Sequence, residues 1–226
     1  MPLKPAITRK FVHDALKPID SVVQFLQILN INPEFGHNKQ ETLKTFIKAL
    51  DHLRKSLTDI RLLAACEDPG EHKWKTMELR KLVLEHADIL KKKASFEREV
   101  SGAPIAVRGD EGLLTSALDN IAYVCEHFDN HLSKIVLTET LVNGKPTARI
   151  VYEIETAEEV GPELGACTPF FPLSKKSLAL DSNTGFILDA IKAIMELHHG
   201  KLECAVAGKK ASLELTLPLI HGQRDD

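Results

Sequence analysis

The chain has 226 residues, enough for one large domain or two small ones, and its 43% hydrophobic and 27% charged residues are an ordinary soluble profile. A formal net charge of −3 excludes a global field that recruits nucleic acid or an anionic membrane surface. No apolar run reaches the ~18–20 residues of a membrane span, the opening "MPLKPAITRK" lacks the apolar stretch of a signal peptide, and Cys66, Cys125, Cys167 and Cys204 are scattered without a CxxC pair. This usage predicts neither a disulfide framework nor a zinc site, and a reduced, cytoplasmic protein.

The first element is an amphipathic helix over about residues 7–29, with Phe11, Ala15, Ile19, Val22, Leu26 and Leu29 recurring by threes and fours as a buried stripe. At 100° per residue, His13 falls instead among Arg9, Lys10 and Lys17 and, two turns on, Asp20 and Gln24. An imidazole on that polar face needs no structural partner, so the bland alternative is an idle surface histidine. Its neighbours argue for chemistry. Asp14 is placed to accept a proton from the imidazole and raise its nucleophilicity. Arg9, Lys10 and Lys17 lie within a turn and suit a phosphoryl group or an acidic partner. Pro18 removes the hydrogen bond that would reach the Asp14 carbonyl, at a typical cost of ~3 kcal/mol inside a helix.

"NINPEFGHN" (30–38) breaks the pattern, and a second helix is predicted over about residues 39–66. Leu43, Phe46 or Ile47, Leu50, Leu53, Leu57, Ile60 and Ala64 form an a/d-like seam. Two helices joined by a short loop make an antiparallel hairpin, and one hairpin leaves much of both stripes in water. Pairing two hairpins as a four-helix bundle buries them, which predicts a homodimer with residues 1–70 as its dimerisation domain.

"CEDPGEHKWK" (66–75) reads as a linker, and residues 71–226 as a second domain. "TMELRKLVLEHADILKKKASF" reads as a helix, "IAVRGD" (105–110) as a strand, and "EGLLTSALDNIAYVCEHF" as another amphipathic helix. "SKIVLTETLVNGKPTARIVYEIE" is two strands around Asn143–Gly144, a strong hairpin signal. "TGFILDAIKAIMELHHG" is a helix whose left-handed cap falls to Gly200, and "KLECAVAGKKASLELTLPL" is a second hairpin. Helices on one face of a mixed or antiparallel sheet make this an α+β domain. His86, His127 and His131 lack the spacing of a metal site, His198–His199 read as a helix C-terminus, Trp74 as a packing residue between domains with ligand stacking as the alternative, and "KKK" at 91–93 as a solvated helix end.

"FVHDALKP", at the head of that helical hairpin, resembles the H-box of sensor histidine kinases: His, then an acid, then Pro five residues after the His. Later segments resemble the family's ATP-binding α/β sandwich in the family's order. "GDEGLLTSALDNIAYVCEHF" is similar to the N-box helix with Asn120 as its first asparagine, "CTPFFPLSKKS" to the F-box, and "SNTGFILDAIKAIMELHHG" with the strands after it to the last glycine box and the end of the domain. The resemblance covers nearly the whole chain and implies a helical hairpin followed by a kinase-type ATPase domain.

The nucleotide chemistry departs from that pattern. The second N-box asparagine, which the family uses for Mg²⁺, is Val124 here, and an isopropyl group offers no oxygen to a hard cation. "YEIETAEEVG" stands where Asp-x-Gly-x-Gly is expected; the last box keeps Gly185 but carries Ile187 and Asp189; Phe171 to Gly185 is short for an ATP lid. A degenerate nucleotide site near Asn120, Val124 and Gly185 follows, with Lys175, Lys176 and Lys192 read as solvated. Family members that also dephosphorylate their partner place Thr or Asn three or four residues after the acid; Lys17 and Pro18 stand there, and lysine accepts no hydrogen bond from a water.

The resemblance therefore implies a phosphorelay histidine phosphotransferase of degraded-kinase type. His13 is its nucleophile, Asp14 the orienting acid, and Lys10 and Lys17 offset charge. Its partners would be response-regulator receiver domains or a hybrid histidine kinase, docking near Arg9, Asp20, Ser21 and Gln24. The receiver brings Mg²⁺, so this chain needs no cofactor or metal of its own. Two readings stay open beside it: a working autokinase using ATP, and a non-catalytic module that regulates a two-component kinase.

Overall fold

The structure, a computed structural model, describes residues 19–22, 24, 39–67, 72–91, 97–100, 104–127, 131–160 and 184–220. The chain divides into two units, Met1–Glu67 and Asp68–Asp226.

In the first unit, residues 19–22 and 24 are helical, and α1 spans Lys39–Glu67. The single seam expected along α1 splits into two edges. Leu53 and Ile60 are half-buried and Leu63 is buried, whereas Ile47 (49%), Leu50 (42%) and Leu57 (49%) are exposed, as is Ala64. Ile19, expected on a buried stripe, is 40% exposed. The buried edge also holds Asp59, whose carboxylate takes Lys55 Nζ one turn back at 2.5 Å.

The second unit begins with β1 (Trp74–Glu78) and α2 (Leu79–Lys91). The expected helix over "TMELRKLVLEH" therefore starts three residues late, because Thr76–Glu78 belong to the strand. β1 pairs antiparallel with β3 (Ala106–Asp110), Met77 opposite Val107, a long-range pairing that overrides the local helical period. Glu78 fixes the switch: its carboxylate accepts the N–H groups of Arg80 (3.1 Å), Lys81 (2.8 Å) and Ile105 (3.2 Å), satisfying the start of α2.

The remaining elements are β2 (Glu97–Val100), α3 (Glu111–His127), β4 (His131–Val142), β5 (Lys145–Val160), α4 (Thr184–Leu197) and β6 (Lys201–Pro218). Four strands form a mixed sheet in the order β2-β4-β5-β6, β2 lying parallel to β4 and the rest antiparallel. The turn after β4 has Asn143 at φ 53° and Gly144 at φ 73°, as its Asn-Gly signal predicts. Register sets Leu137 opposite Ile150, Ile150 opposite Leu215 and Tyr152 opposite Leu213, so one sheet face is a continuous apolar layer. Against it pack Val83 and Ala87 of α2, Ala117 and Ile121 of α3, and Ile187, Ile191 and Ile194 of α4, each at most 1% exposed. The other face is polar. There Arg149 grips Glu214 through two bonds of 2.6 Å, which raise its already high pKa. This is the α+β architecture read from the sequence.

Two details of the last segments differ from expectation. α4 ends in a Schellman motif: Gly200 N–H donates to Met195 O (2.8 Å) and His199 N–H to Glu196 O (3.0 Å). The residue at positive φ is His199 (57°), not Gly200. Gly200 is required for another reason, since a Cβ there would overlap the Thr216 carbonyl oxygen. That contact also shows that β6 doubles back, as the hairpin reading expected. Sixteen fully extended residues would separate Gly200 and Thr216 by ~50 Å, and the reversal falls at Gly208, at φ 61°. Cys204 is disulfide-bonded, which corrects the expectation of reduced thiols throughout.

Candidate functional site

His13, Asp14, Arg9, Lys10 and Lys17 lie outside the described residues. Of the residues assigned to partner docking, Asp20, Ser21 and Gln24 are described, helical and exposed. Asp20 and Gln24 stand one turn apart and share a helix face, with Ser21 beside them. Asp20 and Gln24 present a carboxylate and a carboxamide on this stretch.

The region expected to hold a degenerate nucleotide site is built on α3. Asn120 and Val124, four residues apart on that helix, share one face, and both are buried, at 3% and 1% exposure. Val124 is thus a core residue of the helix layer and offers no oxygen to any cation. Ile187, in the first turns of α4, is likewise a packing residue at 1% exposure, and Asp189 is half-buried. Lys192 is exposed and stands 3.9 Å from Glu196 one turn on, a solvated pair; Lys175 and Lys176 lie outside the described residues. The residues present at 120 and 124 do not fit a magnesium-bound nucleotide: the position that would supply a ligand is apolar and buried. No group of three or more His, Cys, Asp or Glu suited to a metal occurs among the described residues.

The ends of β1, α3 and α4 are tied by a polar framework that sequence reasoning missed. Asp110 caps α3 by accepting the Leu113 N–H (3.1 Å), and its other oxygen takes the Lys73 N–H (2.7 Å) at the start of β1. Its own N–H donates to His198 Nε2 (2.9 Å), and His198 Nδ1 lies 2.7 Å from the Ile194 carbonyl, so the Nδ1–H tautomer satisfies both bonds. Burial alone would raise the Asp110 pKa, but bonds from Lys73, Leu113 and Gly112 and the His198 charge hold it below the usual carboxylate value. Burial is the dominant cause at His198 and pushes its pKa below the ordinary one, against opposing effects of Ile194 and Asp110. The signal for Asp110 was present: an aspartate immediately before an apolar helical run is a cap signature. Nothing local couples it to a histidine 88 residues on.

A second buried polar link runs from α2 to the sheet. Tyr152 Oη and His86 Nδ1 lie 3.3 Å apart, and His86 Nε2 is 3.6 Å from Asp119 Oδ1. His86 therefore packs as a buried core residue.

No family model matches the chain, and no curated protein matches its sequence. Solved structures match its fold. The histidine kinase AdeS of Acinetobacter baumannii superposes with a TM-score of 0.65 at 16% identity, over 92% of this chain and 98% of that one. Histidine kinase ThkA, solved in complex with the response regulator protein TrrA, gives 0.65 at 16% identity over 97% of this chain and 63% of that one. Full-length ShkA in complex with AMPPNP gives 0.58 at 17% identity over 82% of this chain and 40% of that one. The chain has a histidine-kinase-like fold.

Proposed function

We propose that this protein is a two-component phosphotransferase that passes a phosphoryl group between receiver-domain aspartates through His13, without phosphorylating itself from ATP. The observation that carries the second half is Val124, an apolar side chain sunk in the helix layer where a nucleotide site of this fold needs a carboxamide over Mg²⁺. The first half is supported by the histidine-kinase-like fold together with the His13–Asp14–Pro18 pattern. ThkA was solved with a response regulator, which supports a receiver as partner. The exposed Asp20, Ser21 and Gln24 suit its docking. A homodimeric four-helix bundle is part of the reading, supported by the apolar edge of Ile47, Leu50 and Leu57 left in water by one chain.

In this mechanism an imidazole nitrogen of His13 attacks the phosphorus of an aspartyl-phosphate on the donor receiver. The P–O bond to the receiver aspartate breaks, a P–N bond to His13 forms, and the donor carboxylate is restored. Asp14 takes the proton that the second ring nitrogen sheds, and Lys10 and Lys17 offset the charge of the transferring group. Transfer to the acceptor reverses these steps. Mg²⁺ travels with the receiver and no cofactor is assigned to this chain. The test is to offer the full chain a radiolabelled phospho-receiver and, separately, labelled ATP, each with Mg²⁺, with His13→Gln alongside. Label from the receiver alone, lost in His13→Gln, is expected. Label from ATP would make the protein an autokinase, and binding of the receiver without label would make it a non-catalytic module.

A further inference from the structure

Trp74 is the chain's single tryptophan, and it stands in the wall of a cavity of about 400 Å³ with Arg108, His198, His199, Pro218, Leu219 and Ile220. That volume suits a small molecule, for which pockets run from roughly 300 to 1,000 Å³. The cavity is built by the pairing of β1 with β3. Register places Trp74 opposite Asp110 and Thr76 opposite Arg108, so Trp74 and Arg108 project diagonally from one face of the two-stranded sheet.

The aromatic wall is held in place. The His198 ring, itself fixed through both nitrogens, lies 5.1 Å from the Trp74 ring at 46°, and His72 meets the indole edge-on at 6.0 Å. Trp74 nonetheless stays 36% exposed. Among the described residues that line the cavity, the one permanently charged side chain is a cation. Arg108 is exposed and has no ion pair among the described residues, the exposed His199 also lines the cavity, and no carboxylate residue lines it among the described residues. Asp110 shares the sheet face as an ionised carboxylate, but it does not line the cavity, and its oxygens accept the Lys73 and Leu113 N–H groups. A fixed aromatic face beside a cation with no ion pair among the described residues suits a ring that carries an anionic group.

We propose that this cavity is a binding site for a small planar aromatic anion, the ring on Trp74 and the anionic group on Arg108. The site is separate from the degenerate nucleotide region. It adjoins the C-terminal end of α4, and Gly185 begins the other end of that helix, ~20 Å away at 1.5 Å per residue. The inference stands whether or not His13 carries phosphate.

Trp74 also makes the test direct, because its fluorescence reports this cavity and no other tryptophan. The full chain is titrated with inosine 5′-monophosphate and with nicotinate, each beside its uncharged counterpart, inosine and nicotinamide. Saturable quenching by one or both anions, at least tenfold weaker for the uncharged partner, is expected. Arg108→Gln, on an exposed side chain, should weaken anion binding about tenfold, and Arg108→Lys should retain most of it. A phosphate-only or carboxylate-only response identifies the anionic group and supports the site. Equal quenching by charged and uncharged compounds, no saturable quenching at all, or unchanged affinity in Arg108→Gln would each overturn it.

Discussion

Asp110 and His198 form the joint on which the ends of β1, α3 and α4 meet, so single changes there should be felt beyond one hydrogen bond. Asp110→Ala removes a helix cap worth ~1 kcal/mol and leaves the Lys73 N–H without its acceptor. Urea denaturation should show a loss of about 1–2 kcal/mol, and an unchanged midpoint would refute the joint. His198 adds a pH dependence whose sign is fixed by its lowered pKa. Above 6.5, its ordinary value, both folded and unfolded states hold it neutral. Below 6.5 the unfolded chain binds a proton that the folded chain resists, so stability should fall as pH drops from there. His198→Gln should lose that part of the slope; an identical slope in the variant would assign it elsewhere. Val124 makes the third case. Val124→Asn places a carboxamide at a site 1% exposed, which should cost about 1–3 kcal/mol and yield no ATP affinity by calorimetry. Tight Mg–ATP binding by a stable Val124→Asn protein would mean that the site lacked only that residue.

Elements were readable where their signal is local. The Asn143–Gly144 turn, α3 and the strands around it follow from turn chemistry and period alone. Thr76–Glu78 were not readable, because their strand state comes from pairing with β3 roughly thirty residues on, while their own spacing continues the period of α2. The end of α4 was half readable. His-His-Gly marks a stop, but which residue turns left-handed depends on Gly200 having to lie against Thr216. The two positions should therefore respond oppositely. Gly200→Ala drives a methyl into backbone and should cost about 1–3 kcal/mol. His199→Gly relieves a positive φ and should gain a few tenths to about 1 kcal/mol. Thermal melts of both decide it: destabilisation by both would mean that the His199 ring contributes more than its backbone strain costs.

For the molecule as a whole, the order of motifs pointed to the architecture, since three segments after residue 71 resemble pieces of one fold in that fold's order and solved histidine kinases share it; the F-box segment lies outside the described residues. The cavity at Trp74 could not be read that way, because it is assembled from β1, β3, the end of α4 and the residues after β6, which no motif joins. The proposed bundle is the remaining whole-molecule claim, and its physics is testable. Ile47, Leu50 and Leu57 recur by threes and sevens on α1 with 42–49% of their surface in water. Fully burying such a side chain stabilises by ~1.5–3 kcal/mol, and a symmetric pair of hairpins counts each contact twice. Leu50→Glu with Leu57→Glu puts two carboxylates per chain into that seam and faces them with their own copies. Light scattering on the eluting protein should give twice the chain mass for the native sequence and the single-chain mass for the double variant, with the β-rich second unit's circular dichroism retained. A native protein that elutes as a monomer at tens of micromolar would remove the bundle. The proposed phosphotransfer would then have to work beside an α1 whose apolar edge of Ile47, Leu50 and Leu57 faces water.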